Sequence, residues 1–339
     1  MKTQSRVLYL DYLRLIATIA VIMLHISCSA MGSCSSHTSY TIGLAYDSIC
    51  RWCVPIFVMI SGSIFLRIEK QITISSLYKK YILRLFIALI SWMAIYYWIF
   101  DPVLHAIVHA PVKIISIIDV LKYPFENPLH LWYLPMVIGL YAILPLLKVI
   151  TSNEKITKYF LILWFAWSVF TSIPNSFILQ GIGYLKMEMV VGYSGYMILG
   201  YVLSKTDFHI KTSIWLVLFL FFSVLIFIAA TYAPNVEIAF QYLNPIVIIM
   251  SIIVFCLMKN IIAKYEERKY IRKIDLIIDD LFGVYLIHLF FIKLFFRPHF
   301  YGQLPVVISI PLFTIIVFIA SILTIKGLRK IPIIRYICS

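Results

Sequence analysis

The stretch VLYLDYLRLIATIAVIMLHISC, residues 7–28, decides the fold class of this chain. A helix of about 20 predominantly apolar residues can cross a hydrocarbon core roughly 30 Å thick, and this stretch has that length. Further segments of the same kind follow over residues 49–66, 81–100, 129–147, 159–178, 187–204, 213–232, 239–258, 279–296 and 304–325. The sequence therefore predicts an all-α membrane protein, a bundle of about ten transmembrane helices that forms one integral membrane domain over residues 1–339.

The composition supports the same fold class. Hydrophobic residues make up 62% of the chain and charged residues only 13%, whereas a soluble domain carries roughly 25% charged residues. A water-soluble globule is therefore excluded, and the lipid bilayer is the first partner that the sequence predicts. We expect the first segment to stay in the protein, because Asp11 and Arg14 interrupt its start and no small-residue cleavage pattern follows.

The net charge of +14 follows the positive-inside pattern of membrane proteins. With a cytoplasmic N-terminus, 22 of the 29 lysine and arginine residues lie on the predicted inner side of the membrane. Those outside or near the outer rim are Arg51, Lys113, Lys122, Lys186, Lys293 and Arg297. We therefore expect both termini in the cytoplasm and no nucleic-acid partner.

Four of the six cysteines, Cys28, Cys34, Cys50 and Cys53, fall in or beside the predicted first outer loop. One or two disulfide bridges are compatible with this location, because disulfides persist outside the cytoplasm. The four are equally compatible with unpaired small hydrophobes at helix ends. No second ligand pair accompanies Cys50 and Cys53, so no metal site is predicted.

The two longest predicted connections differ in character. The outer one, residues 101–128, contains His105, His109 and two prolines near its end, which predict an irregular lid. The inner one, residues 259–280, alternates basic and acidic residues. It is either an amphipathic segment on the anionic leaflet or a solvated charged turn, and we favour the turn.

Ionisable side chains inside the first segment are the strongest functional signal. A charged group at the membrane centre costs about 2.5 to 3.5 kcal/mol on insertion scales, so its presence points to function. Arg14 and His25 are 11 residues apart, a spacing that puts them within about 20° of one helix face and about 16 Å apart along the axis. Asp11 lies about 40° from His25 by the same geometry.

This stripe of carboxylate, guanidinium and imidazole suits an elongated polar ligand. Arg14 can bind phosphate bidentately, and His25 can remove a hydroxyl proton near neutral pH. The structural alternative is an Asp11/Arg14 pair that snorkels at the start of the helix, with His25 packed and hydrogen-bonded in the bundle. The spacing alone leaves both interpretations open.

The second and third segments add a small-residue pair and a basic pair. Ser61 and Gly62 lie inside the second segment, where small residues let helices pack closely. Lys80 and Arg84 lie at the start of the third. They are either further phosphate ligands or interfacial anchors.

The fourth and ninth segments contain histidines beside aromatic residues. His130 and Trp132 open the fourth, as part of an aromatic belt or as the wall of a sugar site. In the ninth, Tyr285 and His288 are three residues apart and share one face. A second intramembrane histidine strengthens the case for a functional cavity.

Taken in this order, the motifs resemble the acyltransferase 3 family, the multi-pass membrane acyltransferases that modify surface glycans. The family pattern of an arginine, ten residues and a histidine is met by Arg14 and His25. Its other patterns are met by Phe57–Gly62, by Lys80 with Arg84, by Leu131–Leu134 and by Tyr285–His288. The resemblance covers nearly the whole chain. One departure is Leu85, where family members often have a proline.

The resemblance implies transfer of an acyl group, usually acetyl, from cytosolic acyl-CoA to a hydroxyl of a surface polysaccharide or lipid-linked glycan. It also implies a bacterial cytoplasmic membrane, acetyl-CoA or another acyl-CoA as co-substrate, and no permanently bound cofactor. His25 is then a general base or an acyl-accepting nucleophile. The implied catalytic residues are His25, Arg14 and Asp11, the donor-binding residues Arg14, Lys80 and Arg84, and the acceptor-side or oxyanion residues Ser61, His130, Trp132, Tyr285 and His288.

Two other function classes compete with this one. A transporter or flippase of a glycan or lipid precursor also lines its path with buried charges, but it predicts paired broken helices in the two halves of the chain. No matched glycine or proline interruptions are visible in the sequence. A membrane sensor whose histidines respond to pH is the third class, and it predicts no turnover.

Overall fold

The computed structural model describes residues 7–33, 36–107, 116, 129–172, 192–265, 274–295 and 304–338, and these residues contain helices and no strands. The α-helices in chain order are α1 (Leu8–Ser33), α2 (His37–Cys50), α3 (Cys53–Phe65), α4 (Ile74–Ser76), α5 (Leu83–Ile95), α6 (Asp101–Ile107), α7 (Tyr133–Ala142), α8 (Leu144–Thr151), α9 (Glu154–Thr171), α10 (Ser194–Lys205), α11 (Thr212–Tyr232), α12 (Val236–Ala239), α13 (Pro245–Ala263), α14 (Leu281–Phe295), α15 (Val306–Leu328) and α16 (Pro332–Cys338). Two π-helical stretches, Leu77–Ile82 and Tyr96–Phe100, flank α5.

Six helical stretches of the described residues are long and apolar enough to cross a membrane. They are Leu8–Ser33, His37–Phe65, Ile74–Ile107, Thr212–Tyr232, Pro245–Ala263 and Val306–Leu328. A seventh is added if the helices on either side of residue 143 count as one interrupted span. The prediction of an all-helical, multi-pass membrane protein is confirmed, whereas the number of ten spans and the cytoplasmic termini stay predictions.

The other predicted segments also contain helices, but these are shorter or more charged. α9 carries Glu154, Lys155 and Lys158 near its start. α10 has 12 residues and α14 has 15, which is less than the roughly 20 that a span perpendicular to the membrane needs.

Two predicted boundaries differ from the structure. The second segment was expected to begin at residue 49, but the helical stretch begins at His37. Polar residues between His37 and Asp47 suggest a loop by composition, although they lie in α2. The third segment was expected to end at residue 100, but α6 continues to Ile107 and includes His105.

Several sequence predictions fall outside the described residues. They are Cys34, His109 and the proline-containing part of the predicted lid, and the basic middle of the predicted inner loop, residues 266–273. The predicted solvated turn and irregular lid therefore stay predictions.

The chain divides into two compact units, and each is described by itself. The first unit is Met1–Gln71 with Leu144–Ile278, and the second is Ile72–Ile143 with Asp279–Ser339. The predicted first, second, fifth, sixth, seventh and eighth segments belong to the first unit. The predicted third, ninth and tenth segments belong to the second.

The core of the first unit is built around close packing of α3 against α10. A methyl group on Gly62 would overlap the carbonyl oxygen of Met197, and one on Gly200 would overlap that of Met59. The Ser63 hydroxyl donates to the Gly200 carbonyl across the same contact, at 2.8 Å. Small residues that let backbones approach are the main device of helix association in lipid. The packing interpretation of Gly62 is thus confirmed.

The second unit is held by polar contacts at the ends of its helices. The indole of buried Trp92 in α5 donates to the Ile337 carbonyl in α16, at 3.2 Å. Arg329, just after α15, forms an ion pair with buried Asp280, just before α14. These contacts tie the terminal helices of the chain to α5 and to each other.

Candidate active site

Arg14 and Asp11 form an ion pair on the first turns of α1. The Arg14 Nη1 donates to Asp11 Oδ1 at 2.9 Å, and the Arg14 side chain is 35% exposed while that of Asp11 is 4% exposed. The pairing proposed as the structural alternative therefore exists. A guanidinium has five N–H donors, so Arg14 keeps donors for an anionic ligand while Asp11 fixes its position.

His25 lies on the same helix, about three turns further along. Because α1 is continuous from Leu8 to Ser33, the helical geometry that puts Arg14 and His25 on one face applies to the folded chain. Both residues are half-buried, whereas Leu13 and Ile26 beside them are fully buried. The stripe predicted from the spacing is therefore on a face of α1 that the first unit does not cover completely.

A second ion pair lies beside Cys28, one helical turn after His25, and no sequence motif predicted it. Asp47 in α2 accepts from Arg51 Nη2 through Oδ2 at 2.5 Å, and the two side chains are 0% and 12% exposed. The Cys28 thiol, three residues after His25, donates to the same Oδ2 at 3.3 Å. Because Cys28 and His25 are three residues apart on α1 and share a face, the ion pair lies on the His25 side of this helix. The surroundings of the imidazole are therefore charged as well as apolar.

Arg51, which is predicted to lie outside or near the outer rim, packs against other residues of the first unit. Its guanidinium carbon lies 4.0 Å from the centroid of the Phe240 ring and 6.0 Å from that of Tyr242. Its Nη1 reaches the Phe240 carbonyl at 3.4 Å. The i, i+4 spacing of Asp47 and Arg51 is the sequence signal that indicates this pair.

Ser61, the predicted oxyanion donor, is half-buried in α3 of the first unit. Its hydroxyl donates to the Phe57 carbonyl one turn earlier, at 3.1 Å. A serine hydroxyl can rotate away from such a backbone acceptor. Ser61 can therefore turn toward a ligand from this position.

The second unit contains a cluster of four side chains, those of Tyr96, His130, Tyr285 and His288. The His130 ring centroid lies 5.2 Å from that of His288, 5.8 Å from that of Tyr285 and 5.1 Å from that of Tyr96. The Tyr285 hydroxyl donates to the His130 carbonyl at 2.5 Å. Tyr96, His130 and the Tyr285/His288 pair are far apart in the sequence, and the second unit brings them into one polar group.

Backbone carbonyls determine which ring nitrogens of the two histidines in this cluster carry a proton. The Leu286 carbonyl accepts from the Tyr96 hydroxyl at 2.9 Å and from His130 Nε2 at 3.0 Å. His288 Nδ1 donates to the Tyr285 carbonyl at 2.5 Å. Since a carbonyl can only accept, we assign the protons to His130 Nε2 and His288 Nδ1. Each ring is thereby held in one tautomer and one orientation.

Trp132 adjoins this cluster through Tyr133. Its ring lies 6.5 Å from that of Tyr133, which in turn lies 5.7 Å from the Tyr285 ring. Trp132 and Tyr133 are both half-buried. This partly open aromatic surface is consistent with either the predicted belt or the predicted sugar wall.

Lys80 and Arg84 lie where a π-helical stretch joins α5 in the second unit. Lys80 is exposed, with its Nζ 5.7 Å from the Tyr81 ring centroid, and Arg84 is half-buried. π-helical turns are rare and often occur at functional sites. Leu85 follows in α5, after the π-helical stretch has ended.

The described residues do not offer a metal site, since no group of three histidine, cysteine, aspartate or glutamate side chains among them could hold a metal ion. Among the described cysteines, Cys28, Cys50 and Cys53 carry free thiols. Cys28 is exposed and the other two are buried. The interpretation as small residues near helix ends therefore fits these three.

Comparison with known proteins identifies the family of this chain. The family model of an acyltransferase domain, that of the acyltransferase 3 family, matches residues 7–326. No curated protein and no solved structure matches the chain. The match includes the Arg14/His25 stripe, the basic pair at α5 and the histidine cluster. The chain belongs to the acyltransferase 3 family and is a multi-pass membrane acyltransferase.

Proposed function

We propose that this protein moves an acyl group, acetyl by preference, from cytosolic acyl-CoA to a hydroxyl of a surface polysaccharide or lipid-linked glycan. We place it in the cytoplasmic membrane of a bacterium. The observation that carries the proposal is the single continuous helix α1, which presents Arg14 and His25 on one half-buried face. A phosphate-binding group and a proton acceptor about 16 Å apart along one helix suit a long donor with charge at one end and a thioester at the other.

The donor is held by its phosphates. Arg14 can offer a planar pair of N–H groups to a phosphate, a strong charge-assisted contact. Asp11 keeps that guanidinium in place through the 2.9 Å bond. Lys80 and Arg84 are proposed as further donor-binding residues, because their positive charges suit phosphate. The pantetheine arm then follows α1 toward His25.

The chemistry is a direct transfer with His25 as general base. The neutral imidazole takes the proton of the acceptor hydroxyl as its oxygen attacks the thioester carbonyl carbon. The tetrahedral intermediate collapses with cleavage of the C–S bond, and the coenzyme A thiolate takes the proton from the imidazolium. The products are an O-acyl ester and free coenzyme A. An acyl-imidazole intermediate on His25 is the other route.

Other predicted residues support this step. The Ser61 hydroxyl, once it leaves the Phe57 carbonyl, can donate to the oxyanion. The His130, Tyr285 and His288 cluster has its tautomers fixed by backbone carbonyls, which suits a role in orienting the acceptor. Trp132 offers an apolar ring face of the kind that sugars stack against.

A labelling experiment tests the proposal. Membranes that contain the parent protein, His25→Ala or Arg14→Ala are incubated with acyl-labelled acetyl-CoA and a membrane glycan extract freed of its O-acyl groups by mild alkali. We expect label to reach the glycan only with the parent. His209→Ala, which changes an exposed histidine of the first unit, is the matched control and should behave as the parent does.

The other function classes give different results. Movement of glycan lipid across the bilayer without consumption of acetyl-CoA would support the transporter. Equal labelling by His25→Ala and the parent would remove His25 from the mechanism.

A further inference from the structure

A buried ion pair next to His25 has no part in the mechanism described so far. Asp47 is fully buried, and the Arg51 side chain is 12% exposed, within a stretch long and apolar enough to cross the membrane. Burying an ion pair costs free energy that the pairing recovers only when the remaining hydrogen bonds are made. Polar groups retained in a membrane span at such a cost indicate function.

The hydrogen bonds of this pair are incomplete. Asp47 Oδ2 is used twice, by Arg51 and by Cys28. Asp47 Oδ1 and Arg51 Nε, by contrast, are buried atoms for which the described part of the chain provides no hydrogen-bond partner. One is an acceptor and the other a donor. Buried polar atoms are satisfied in the great majority of cases, so these two call for a ligand or a water molecule.

A hydroxyl group matches this unused pair. It donates its proton to a carboxylate oxygen and accepts a proton from a guanidinium N–H at the same time. The Phe240 ring, against which Arg51 packs at 4.0 Å, adds an apolar surface. A polyol beside an aromatic ring has this combination of hydroxyls and apolar C–H faces.

Cys28 indicates how a ligand reaches the carboxylate. Its thiol is exposed and makes a contact of 3.3 Å to Asp47, and an S–H group is only a weak donor. A ligand that approaches from the Cys28 side can therefore displace the thiol from Asp47 Oδ2 at little cost and so reach the carboxylate. Because Cys28 and His25 are three residues apart on α1, this approach also passes the imidazole.

We propose that Asp47 and Arg51 form the acceptor subsite, where they bind a hydroxyl adjacent to the one that His25 deprotonates. This inference rests on the proposed function, because it assigns the acceptor of that reaction. It makes Asp47 and Arg51 positioning and specificity residues for a polyol acceptor.

Two conservative variants test the subsite by kinetics. Asp47→Asn keeps the shape but loses the charge, and Arg51→Lys keeps the charge but loses the planar fork. Each should raise the amount of deacylated glycan extract needed for half-maximal transfer by about ten- to a hundredfold, the usual effect of losing a hydrogen bond to a charged group. The KM for acetyl-CoA should not change.

Asp280→Asn is the matched control. It makes the same chemical change in the buried Asp280–Arg329 pair of the second unit. Its effect on stability should resemble that of Asp47→Asn, whereas its acceptor dependence should equal that of the parent. Thermal unfolding of all three variants shows which of them still fold, so that a loss of acceptor binding is not confused with a loss of structure.

Thiol labelling tests the subsite without turnover. In a Cys34→Ser background, Cys28 is the exposed thiol among the described cysteines, since Cys50, Cys53, Cys256 and Cys338 are buried. The glycan extract should slow the reaction of Cys28 with N-ethylmaleimide in the parent and fail to do so in Arg51→Lys. This assay remains informative if Asp47→Asn does not fold.

Three results overturn the subsite. The first is that folded Asp47→Asn and Arg51→Lys need no more glycan extract than the parent for half-maximal transfer. The second is that these variants raise the KM for acetyl-CoA instead. The third is that the extract does not change the rate at which Cys28 is labelled. Absence of any transfer by the parent would instead reject the proposed function, and the labelling assay would still decide whether glycan binds at Cys28.

Discussion

The histidines of the two units differ in their exposure and in the groups that surround them. In the first unit His25 is half-buried, on a face that carries Arg14, and it lies near the Asp47–Arg51 pair. In the second unit His130 and His288 are 2% and 0% exposed and bind backbone carbonyls. Partial exposure and nearby charge suit proton transfer, whereas burial with a fixed tautomer suits orientation of neighbouring groups. An intramembrane histidine therefore has to be interpreted from its exposure and its neighbours. Its position in the sequence does not distinguish His25 from His130 and His288.

The largest effect should follow from removing the proton acceptor. His25→Ala should lower kcat for acyl transfer by about 10²- to 10⁴-fold, the usual contribution of a general base. His288→Asn retains a donor for the Tyr285 carbonyl and should lower kcat by much less. Initial rates with labelled acetyl-CoA measure both. A larger loss of kcat in His288→Asn than in His25→Ala would assign the general base to the second unit in place of the first.

Replacing Arg14 should weaken the binding of acetyl-CoA more than the binding of the acceptor. Arg14→Ala removes a charge-assisted contact to phosphate, so the KM for acetyl-CoA should rise by about ten- to a hundredfold. Arg14→Lys should recover only part of this, because an ammonium cannot bind phosphate with a planar fork. Steady-state kinetics at fixed acceptor decides the point, and an unchanged KM for acetyl-CoA in Arg14→Ala would exclude donor binding by this residue.

The packing of the first unit should be sensitive to a single methyl group. Gly62→Ala places a Cβ where the Met197 carbonyl oxygen lies, and overpacking of this kind destabilises by about 1 to 3 kcal/mol. Gly139→Ala in the second unit meets nothing within 4 Å and is the control. Thermal unfolding in detergent should show a lower Tm for Gly62→Ala alone. Equal Tm values would mean that α3 and α10 are not in close contact.

The histidine cluster of the second unit should tolerate a smaller change. Tyr285→Phe deletes the 2.5 Å bond to the His130 carbonyl, at a cost of about 1 kcal/mol. We expect a slight fall in Tm and less than a tenfold loss of transfer rate. Loss of all activity in a variant that still folds would assign Tyr285 to the chemistry itself.

The smallest effect concerns an exposed carboxylate at the end of α10. The bond from Lys259 and its positive charge lower the pKa of Asp207, while Lys259 also binds the carbonyls of Ser204 and Thr206. A lowered pKa stabilises the fold above the ordinary pKa of the group, and that contribution is lost as pH falls through the lowered value. The Tm difference between the parent and Asp207→Asn should therefore be present at about pH 7 and shrink as the pH falls below the ordinary pKa of an aspartate. A difference that grows in acid would contradict the sign.

Much of the fold could be predicted because membrane spans leave a direct signal in hydropathy. The stripe of Arg14 and His25 could also be predicted, since it depends on helical geometry within one element. Asp47 and Arg51 were missed because the polar residues between His37 and Asp47 suggest a loop by composition. The contact of His130 with His288 and the π-helical turn before α5 could not be derived, because the first depends on tertiary structure and the second leaves no periodic pattern.

The central claim is that His25 activates an acceptor hydroxyl for attack on the thioester of acyl-CoA. Release of free coenzyme A by the purified protein, measured with saturating acetyl-CoA in the presence and absence of deacylated glycan extract, tests it most directly. We predict that release by the parent depends on the extract and that His25→Ala releases almost none. Release by His25→Ala at the parent's rate would contradict the claim.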